Sequence, residues 1–346
     1  MSNRVLVTGG SGYLGAWIVK MFLQEGFIVH TTTRDMQNET RIYALRKLQE
    51  QYGENLKIFS ADLLVPNSFD KAMQGCTFVI HSASPYIFTK VKNPKEMLLR
   101  PALEGTKNLL KSVEKTDCIK RVVLTSSIVA LFDHAKAIYF EKEGIVSVND
   151  TNKDATLKTN PYAFSKTVAE QFAWQQQKKS QRWSLVTIHP GAIFGPSLSK
   201  RTDGTSVSMM RQFLDGSFKS GVPKLWLGVV DVRDVAFAHL QAAIDGHNGA
   251  RYIVVAKSMR LLEIAQTMQH NKFALKDKLP KREIPKWLLW IFAPFLGMQR
   301  RYVANNVGYP IKFDDENTRA HLKLNYYASI NTFDDHIEQL LRDRLL

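Results

Sequence analysis

Thr8-Gly9-Gly10-Ser11-Gly12-Tyr13-Leu14-Gly15 is the stretch on which the fold turns. It follows a strand-like run, Arg4-Val5-Leu6-Val7, and opens a helix-like run over 16–25. A glycine-rich turn between a buried strand and a helix can hold a pyrophosphate. Gly9 permits the tight turn, Gly12 lets the backbone approach the phosphates, and Gly15 lets the helix pack on the strand. The bare amides of the helix start face the anion, with Thr8, Tyr13 and Leu14 in the same contact set. A purely structural glycine turn is the alternative. It explains the glycines but not the strand before them and the helix after them.

Working outward, strand-like runs at 5–7, 27–32, 57–60, 78–81, 121–125 and 185–189 alternate with helix-like runs at 16–25, 40–51, 67–73, 97–115 and 161–178. The strand runs are short and rich in Val and Ile. That alternation predicts a parallel sheet covered on both faces. After Pro190 the pattern loosens, with Pro196, Gly204, Gly216, Gly221 and Pro223 interrupting it, as in loops that lie over a site. Helical character returns at 231–245, 261–270 and 333–341, with a strand at 251–255. The expected organisation is a nucleotide-binding part, 1–190 with about 230–255, and a smaller discontinuous substrate part, 191–229 and 256–346.

The 346 residues suffice for one large domain or two sharing a core. Two cysteines, Cys76 and Cys118, imply no disulfide framework, and no signal-peptide pattern opens the chain, so a cytoplasmic protein is expected. The net charge is +15. The basic residues are scattered and no nucleic-acid-binding motif is present, so nucleic acid is not an expected partner. Residues 287–296 are continuously apolar, with Lys281, Arg282 and Lys286 before them and Arg300 and Arg301 after. The run is too short to span a bilayer. A buried helix or a lid over a greasy pocket is the favoured reading, and weak contact of 287–298 with a membrane surface is the alternative. The expected assembly is a monomer or homodimer.

The end of the second strand bears on the choice of dinucleotide. An acid there bonds the free ribose hydroxyls of NAD, whereas a cation accommodates a 2′-phosphate. Thr33 stands at that position, Arg34 follows, and Arg41 lies about two turns on. NADP(H) is therefore preferred, with NAD(H) as the alternative. Asp62-Leu63 is placed either to bond the adenine amine or to cap a turn.

Tyr162 and Lys166 lie at i and i+4 on one helix face, behind Asn160-Pro161. An ammonium beside a phenol stabilises the phenolate and fits it for proton transfer to a carbonyl oxygen. Tyr43…Lys47 and Tyr86…Lys90 share the spacing. Only Tyr162 also has a serine pair upstream at a strand end, Ser126-Ser127, where ligands bind in open parallel sheets. His81 and His189 read as packed histidines rather than bases. No metal-ligand spacing is visible, and hydride transfer would need no metal.

Thr-Gly-x-x-Gly-x-x-Gly at 8–15, Thr-Ser-Ser at 125–127 and Tyr-x-x-x-Lys at 162–166 resemble the extended short-chain dehydrogenase/reductases. Asp62-Leu63 and the stretches 75–85, 101–110 and 231–236 are similar to the branch of dihydroflavonol reductases, cinnamoyl-CoA reductases and microbial carbonyl reductases. The resemblance covers roughly 1–255 well and the tail loosely. It implies a Rossmann-type doubly wound α/β fold. It also implies that Ser127 polarises a carbonyl, Tyr162 delivers the proton, and Lys166 lowers the tyrosine pKa and holds the nicotinamide ribose. Arg34 and Arg41 match the basic pair at the 2′-phosphate, Ala83 and Ser84 line the cofactor, and Pro190, Ala192 and Ile193 run beside the nicotinamide. Asn108 is either the family's relay asparagine or a surface helix residue. Lys158-Thr159-Asn160-Pro161-Tyr162 departs from the Asn-Trp-Tyr-Cys-Tyr stretch of the cinnamoyl-CoA reductases, and 132–149 does not match the flavonoid pocket. These departures argue against CoA thioesters and flavonoids.

The expected activity is NADPH-dependent reduction of an aldehyde or ketone, with Phe88, Phe132, Met209 and Phe213 as pocket residues. The rivals are an NAD-dependent sugar-nucleotide epimerase/dehydratase or 3β-hydroxysteroid-type dehydrogenase, and a non-enzymatic cofactor-sensing regulator.

Overall fold

The computed structural model describes residues 3–84, 92–273 and 276–346. Its first half runs β1 (Arg4–Thr8), α1 (Tyr13–Gln24), β2 (Ile28–Thr33), α2 (Glu39–Tyr52), β3 (Leu56–Ser60), α3 (Asp70–Met73), β4 (Phe78–His81), α4 (Arg100–Lys115) and β5 (Arg121–Thr125). A 3-10 turn at Ile128–Ala130 precedes α5 (Ala135–Glu141), β6 (Ile145–Val146), α6 (Pro161–Gln177), β7 (Ser184–Pro190) and β8 (Ala192–Phe194). The second half adds α7 (Thr205–Asp215), β9 (Val222–Pro223), β10 (Trp226–Asp231), α8 (Val232–Ile244), β11 (Arg251–Val254), β12 (Lys257–Arg260) and α9 (Leu261–Met268). It closes with β13 (Glu283–Ile284), α10 (Lys286–Phe292), α11 (Arg300–Asn306), β14 (Lys312–Phe313), α12 (Glu316–Leu322) and α13 (Ser329–Arg342).

Seven strands form one sheet in the order β11-β7-β5-β4-β1-β2-β3, every neighbouring pair parallel. The strand order reverses between β1 and β4, the crevice where such sheets bind dinucleotides. Side chains alternate across the strands. Val5 and Val7 enter the core under α1 and α8, while Leu6 enters the opposite core under α3 and α4. Val123 and Val186 follow the first pattern, Val122, Leu124 and Leu185 the second. Because both faces are covered, the central positions of β1, β4 and β5 are apolar on both sides, which is why those runs read as continuous Val, Leu and Ile; β2 departs from this with buried His30, Thr31, Thr32 and Thr33.

A second sheet, β12-β10-β8, joins β10 antiparallel to β12 and parallel to β8. With α7, α9 and α13 it encloses a separate core around Phe194, Met210, Phe213, Ile264 and Phe333. The loosened pattern after Pro190 thus contains a real helix, α7, which glycines at both ends (Gly204 and Gly216) disguise as loop. Of the two readings expected for residues 287–296, a buried helix or a lid over a greasy pocket, the structure excludes a fully buried helix. Leu289 and Ala293 pack inward with Val303 and Val307, while most of the other apolar side chains face solvent. The physical reason is geometric: α10 is seven residues long and apolar all round, and only one of its faces meets the body. No helix among the described residues is long and apolar enough to cross a membrane.

Candidate active site

The glycine turn has the geometry a phosphate cradle requires. Gly9 sits at φ +72°, in the left-handed region that favours glycine, and a Cβ there would stand 2.9 Å from the Ala83 Cα. A Cβ at Gly15 would lie 2.2 Å from the Gly9 carbonyl oxygen, so α1 and the turn touch backbone to backbone. Gly12 caps α1, and the only atom near its missing Cβ is the Gly9 oxygen at 3.2 Å. The first helical bond is Ala16 N–H to the Gly12 carbonyl, so the amides of Tyr13, Leu14 and Gly15 lie at the open helix end. The residues present therefore fit an anionic dinucleotide. Thr8 laces β1 to β4: its hydroxyl pairs with His81 Nδ1 at 2.9 Å and accepts from the Ala83 amide, and its carbonyl accepts from Ser82. His81 is thus a packed histidine, bonded to a hydroxyl rather than to backbone. Burial, reinforced by Lys166, pushes its pKa down to about 3.

At the end of β2, the Thr33 hydroxyl donates to Ser11 Oγ at 3.2 Å, and Arg34 is exposed beside it. Arg41 lies in the first turn of α2, which Asn38 caps. A third guanidinium joins from far along the chain. Arg201 donates through Nη1 to the Ser11 carbonyl and grips Asp203 through Nε and Nη2. That grip, with a smaller contribution from Arg41, holds the Asp203 carboxyl below its ordinary range. The Asp62 carboxylate accepts the Leu64 amide and its carbonyl accepts the Ser68 hydroxyl, the turn-capping arrangement. Asn108 is not a surface residue: it is buried and its amide donates to the Leu63 carbonyl at 2.8 Å.

Ser126 and Ser127 part company at the end of β5. Ser126 donates to Glu170 Oε2 at 2.5 Å, on the buried side of α6. Ser127 caps the following 3-10 turn, its oxygen accepting the Val129 amide, and its carbonyl bonds His189 Nδ1. Asn160 caps α6 through the Ala163 amide, with Pro161 at the first helical position. The helix that follows carries Tyr162 and Lys166, both buried, and packs against that 3-10 turn. Lys166 Nζ donates to the Thr125 carbonyl at 3.1 Å. Burial lowers its pKa to about 8, with Glu170 pulling the other way. Glu170 is itself held ionised. Burial penalises its charge, but His189, Arg251 and Ser126 outweigh that and bring its pKa to about 2. Tyr43, which shares the Tyr-x-x-x-Lys spacing, is exposed on α2, and Tyr86 and Lys90 lie outside the described residues.

Pro190, Ala192 and Ile193 lie at the end of β7 and in β8. The loop beyond them is tied to α1. The Tyr13 hydroxyl donates to the Gly195 carbonyl at 2.7 Å and Trp17 Nε1 to the Pro196 carbonyl at 2.7 Å. The Gly195 amide donates to His336 and the Ser197 amide to Gln339, both on α13. Of the expected pocket residues, Phe88 lies outside the described residues. Phe132 packs against Phe313, with ring centroids 6.1 Å apart, and Met209 is half-buried at the edge of the second core. Phe213 is fully buried there against Phe218, so its role is packing rather than lining an open pocket. Arg201 and Glu170 were not singled out from the sequence. Glu170 follows Lys166 by one helical turn, a signal present in the spacing, whereas nothing local marks Arg201.

A parallel doubly wound sheet, an anion-binding glycine turn at its crossover and a Ser, Tyr and Lys set beside it define a nicotinamide-dependent oxidoreductase. The chain matches the model of the NAD dependent epimerase/dehydratase family over residues 5–256. It is 34% identical over 290 residues to cinnamoyl-CoA reductase CAD2 of Medicago truncatula, covering 83% of this chain and 84% of that one. It is 36% identical over 293 residues to tetraketide alpha-pyrone reductase 1 of Arabidopsis thaliana, covering 82% and 83%. Among solved structures it resembles the yeast methylglyoxal/isovaleraldehyde reductase Gre2 complexed with NADPH, with a TM-score of 0.79, 25% identity and 99% of each chain covered. The protein belongs to the NAD-dependent epimerase/dehydratase family, in the extended short-chain branch of the dihydroflavonol and cinnamoyl-CoA reductases, and is an NAD(P)-dependent reductase.

Proposed function

We propose that the protein is an NADPH-dependent carbonyl reductase that converts an aldehyde or ketone to the alcohol. The observation that carries the reading is the placement of Lys166: a buried ammonium, bonded to the Thr125 carbonyl, one turn along α6 from Tyr162 and beside the strand end that bears Ser127. When bound, the nicotinamide supplies the hydride that adds to the carbonyl carbon. The chain's own residues handle the oxygen. Ser127 donates a hydrogen bond to it, and Tyr162 donates the proton that completes the alcohol. Lys166 stabilises the phenolate left behind, and its pKa near 8 leaves it mostly charged at neutral pH. Glu170 favours that charged state from below.

The glycine turn, Ala83, Ser84 and the β7–β8 segment with Pro190, Ala192 and Ile193 would hold the dinucleotide. Arg34 and Arg41 bring positive charge to the end of β2 beside the turn, which supports a 2′-phosphate and therefore NADPH over NADH, while Arg201, paired with Asp203, braces the Ser11 carbonyl. Tyr162→Phe is the test. NADPH oxidation with a carbonyl panel falls by about a hundred- to ten-thousand-fold while NADPH still binds by fluorescence titration. Undiminished turnover in that variant would sink the mechanism.

A further inference from the structure

Residues 286–302 form an exposed apolar cap that the reductase reading leaves unused. Trp287, Ile291, Phe292 and Leu296 are exposed, Trp290 is 43% exposed and Phe295 is 86% exposed. Isolated exposed apolar residues are ordinary, but six large ones on one short helix and the turn after it are not. The cap does not wave freely. Leu289, Ala293, Val303 and Val307 pin it from beneath, and the Gln299 amide donates to the Lys158 carbonyl, just ahead of α6. The fold therefore spends packing interactions on presenting this face to its surroundings.

The charge around the cap says what it meets. No Asp or Glu occurs between Glu283 and Asp314, whereas Lys286, Arg300, Arg301 and Lys312 all lie in that interval. Among the described residues Lys286, Arg300 and Arg301 form no ion pair within 4.0 Å of a carboxylate. Arg300 instead stacks on Trp290, its guanidinium carbon 4.7 Å from the ring centroid, Arg301 has the more distant Asp133 near it, and Lys286 turns inward, lying 4.3 Å over Tyr309 and donating to the Ala304 carbonyl at 2.9 Å. A tryptophan stacked by a guanidinium, among exposed Phe, Ile and Leu side chains and flanked by cations, is the composition of an interfacial segment. A two-fold pairing of two copies through this face would bring the same cations onto each other, which disfavours self-association as the reason for its exposure.

We propose that this cap docks the protein on an anionic phospholipid surface, with Phe295, Leu296 and Phe292 entering the acyl boundary and the exposed Arg300 and Arg301 meeting lipid phosphates. The cap is too short to span, so docking is peripheral and reversible. It also gives a local use to part of the high net charge of +15.

The test is flotation of the full-length protein with vesicles of phosphatidylcholine alone and of phosphatidylcholine with 30% phosphatidylserine. Binding to the phosphatidylserine vesicles is expected, weaker binding to the neutral ones, and loss of the difference in 0.5 M salt. The double variant W287S/F295S should lower vesicle affinity at least tenfold while its melting temperature and its turnover of a water-soluble aldehyde stay at wild-type values. R300E/R301E should abolish the preference for phosphatidylserine. Equal binding to both vesicle types, or vesicle binding unchanged in both variants, overturns the proposal. So does a protein that floats with neither vesicle and sediments as a dimer that W287S/F295S converts to monomer, because that result makes a second copy the occupant.

Discussion

Lowering the pH from 7.5 to 5 is expected to remove about 3 kcal/mol from the stability of this fold. The three buried histidines with the largest downward shifts, His81, His239 and His336, drive most of the effect. His239 accepts the Thr125 hydroxyl through Nε2 and donates from Nδ1 to the Val235 carbonyl, and His336 accepts the Gly195 amide. Burial holds the pKa of His81 near 3, that of His239 near 4 and that of His336 near 3, against an ordinary 6.5. A folded-state pKa below the unfolded one means the unfolded chain binds more protons. The stability is then fully present above pH 6.5 and is lost as pH falls toward the folded value. At ~1.36 kcal/mol per pH unit, each histidine withdraws about 2 kcal/mol by pH 5.

Asp234 opposes them. Burial, reinforced by Asp231, lifts its carboxyl to about 7, so the folded protein takes up a proton below that pH and gains roughly 3 kcal/mol by pH 5. Three losses of about 2 against one gain of about 3 leave the stated net loss; burial also lowers the pKa of His30, which adds to the loss, and raises those of Asp133 and Asp315, which oppose it. Glu170, held near 2, contributes only as pH falls through 4.5 and below. Urea unfolding followed by tryptophan fluorescence at pH 7.5, 6 and 5 measures the slope. His239→Gln should flatten it by one proton. A stability that is level or rising between pH 7.5 and 5 would refute the neutral-histidine reasoning.

Other perturbations probe the site. Glu170→Gln removes the carboxylate that favours charged Lys166, so the loss of turnover at high pH moves to lower pH, at a stability cost of about 3 kcal/mol for breaking the buried pair with Arg251; an unmoved kcat–pH limb contradicts the coupling. Gly15→Ala drives a methyl to 2.2 Å from the Gly9 oxygen and forces α1 off the turn. NADPH affinity by calorimetry should fall at least tenfold, while Gly204→Ala, where a Cβ meets open space, stays at wild type. Arg34→Ala should weaken NADPH far more than NADH, whereas Arg201→Ala, which releases the Ser11 carbonyl, should weaken both. Equal loss for both cofactors in the first variant would remove Arg34 from the 2′-phosphate.

The parallel sheet was legible because burial on both faces leaves Val5-Leu6-Val7 and Val122-Val123-Leu124 no polar position, an imprint that local composition carries directly. The glycine turn was legible for a similar reason: backbone contact at Gly9 and Gly15 leaves room for no side chain. The parts that escaped depend on distant partners. Arg201 meets Ser11 only through the tertiary path of residues 195–201, and no spacing reports that meeting. Residues 287–296 misled because an apolar run shows what a segment prefers and not how much of it the rest of the chain can cover. Phe213 reads as a pocket wall from its place after Pro190, because the core that buries it is completed by Ile264 and Phe333, far along the chain.

The hooks from α1 to residues 195–201 have an evolutionary consequence. Tyr13 and Trp17 sit on the first helix, yet their polar atoms serve Gly195 and Pro196, and the same loop hangs on His336 and Gln339 near the carboxyl terminus. Substitutions at 13 and 17 are therefore coupled to the path of residues 195–197 and, through it, to α13. A chimera that grafts a relative's carboxyl-terminal half onto this glycine turn inherits mismatched hooks unless positions 13 and 17 travel with it. Recombination among these reductases should accordingly succeed when the first helix and the last are exchanged as one cassette.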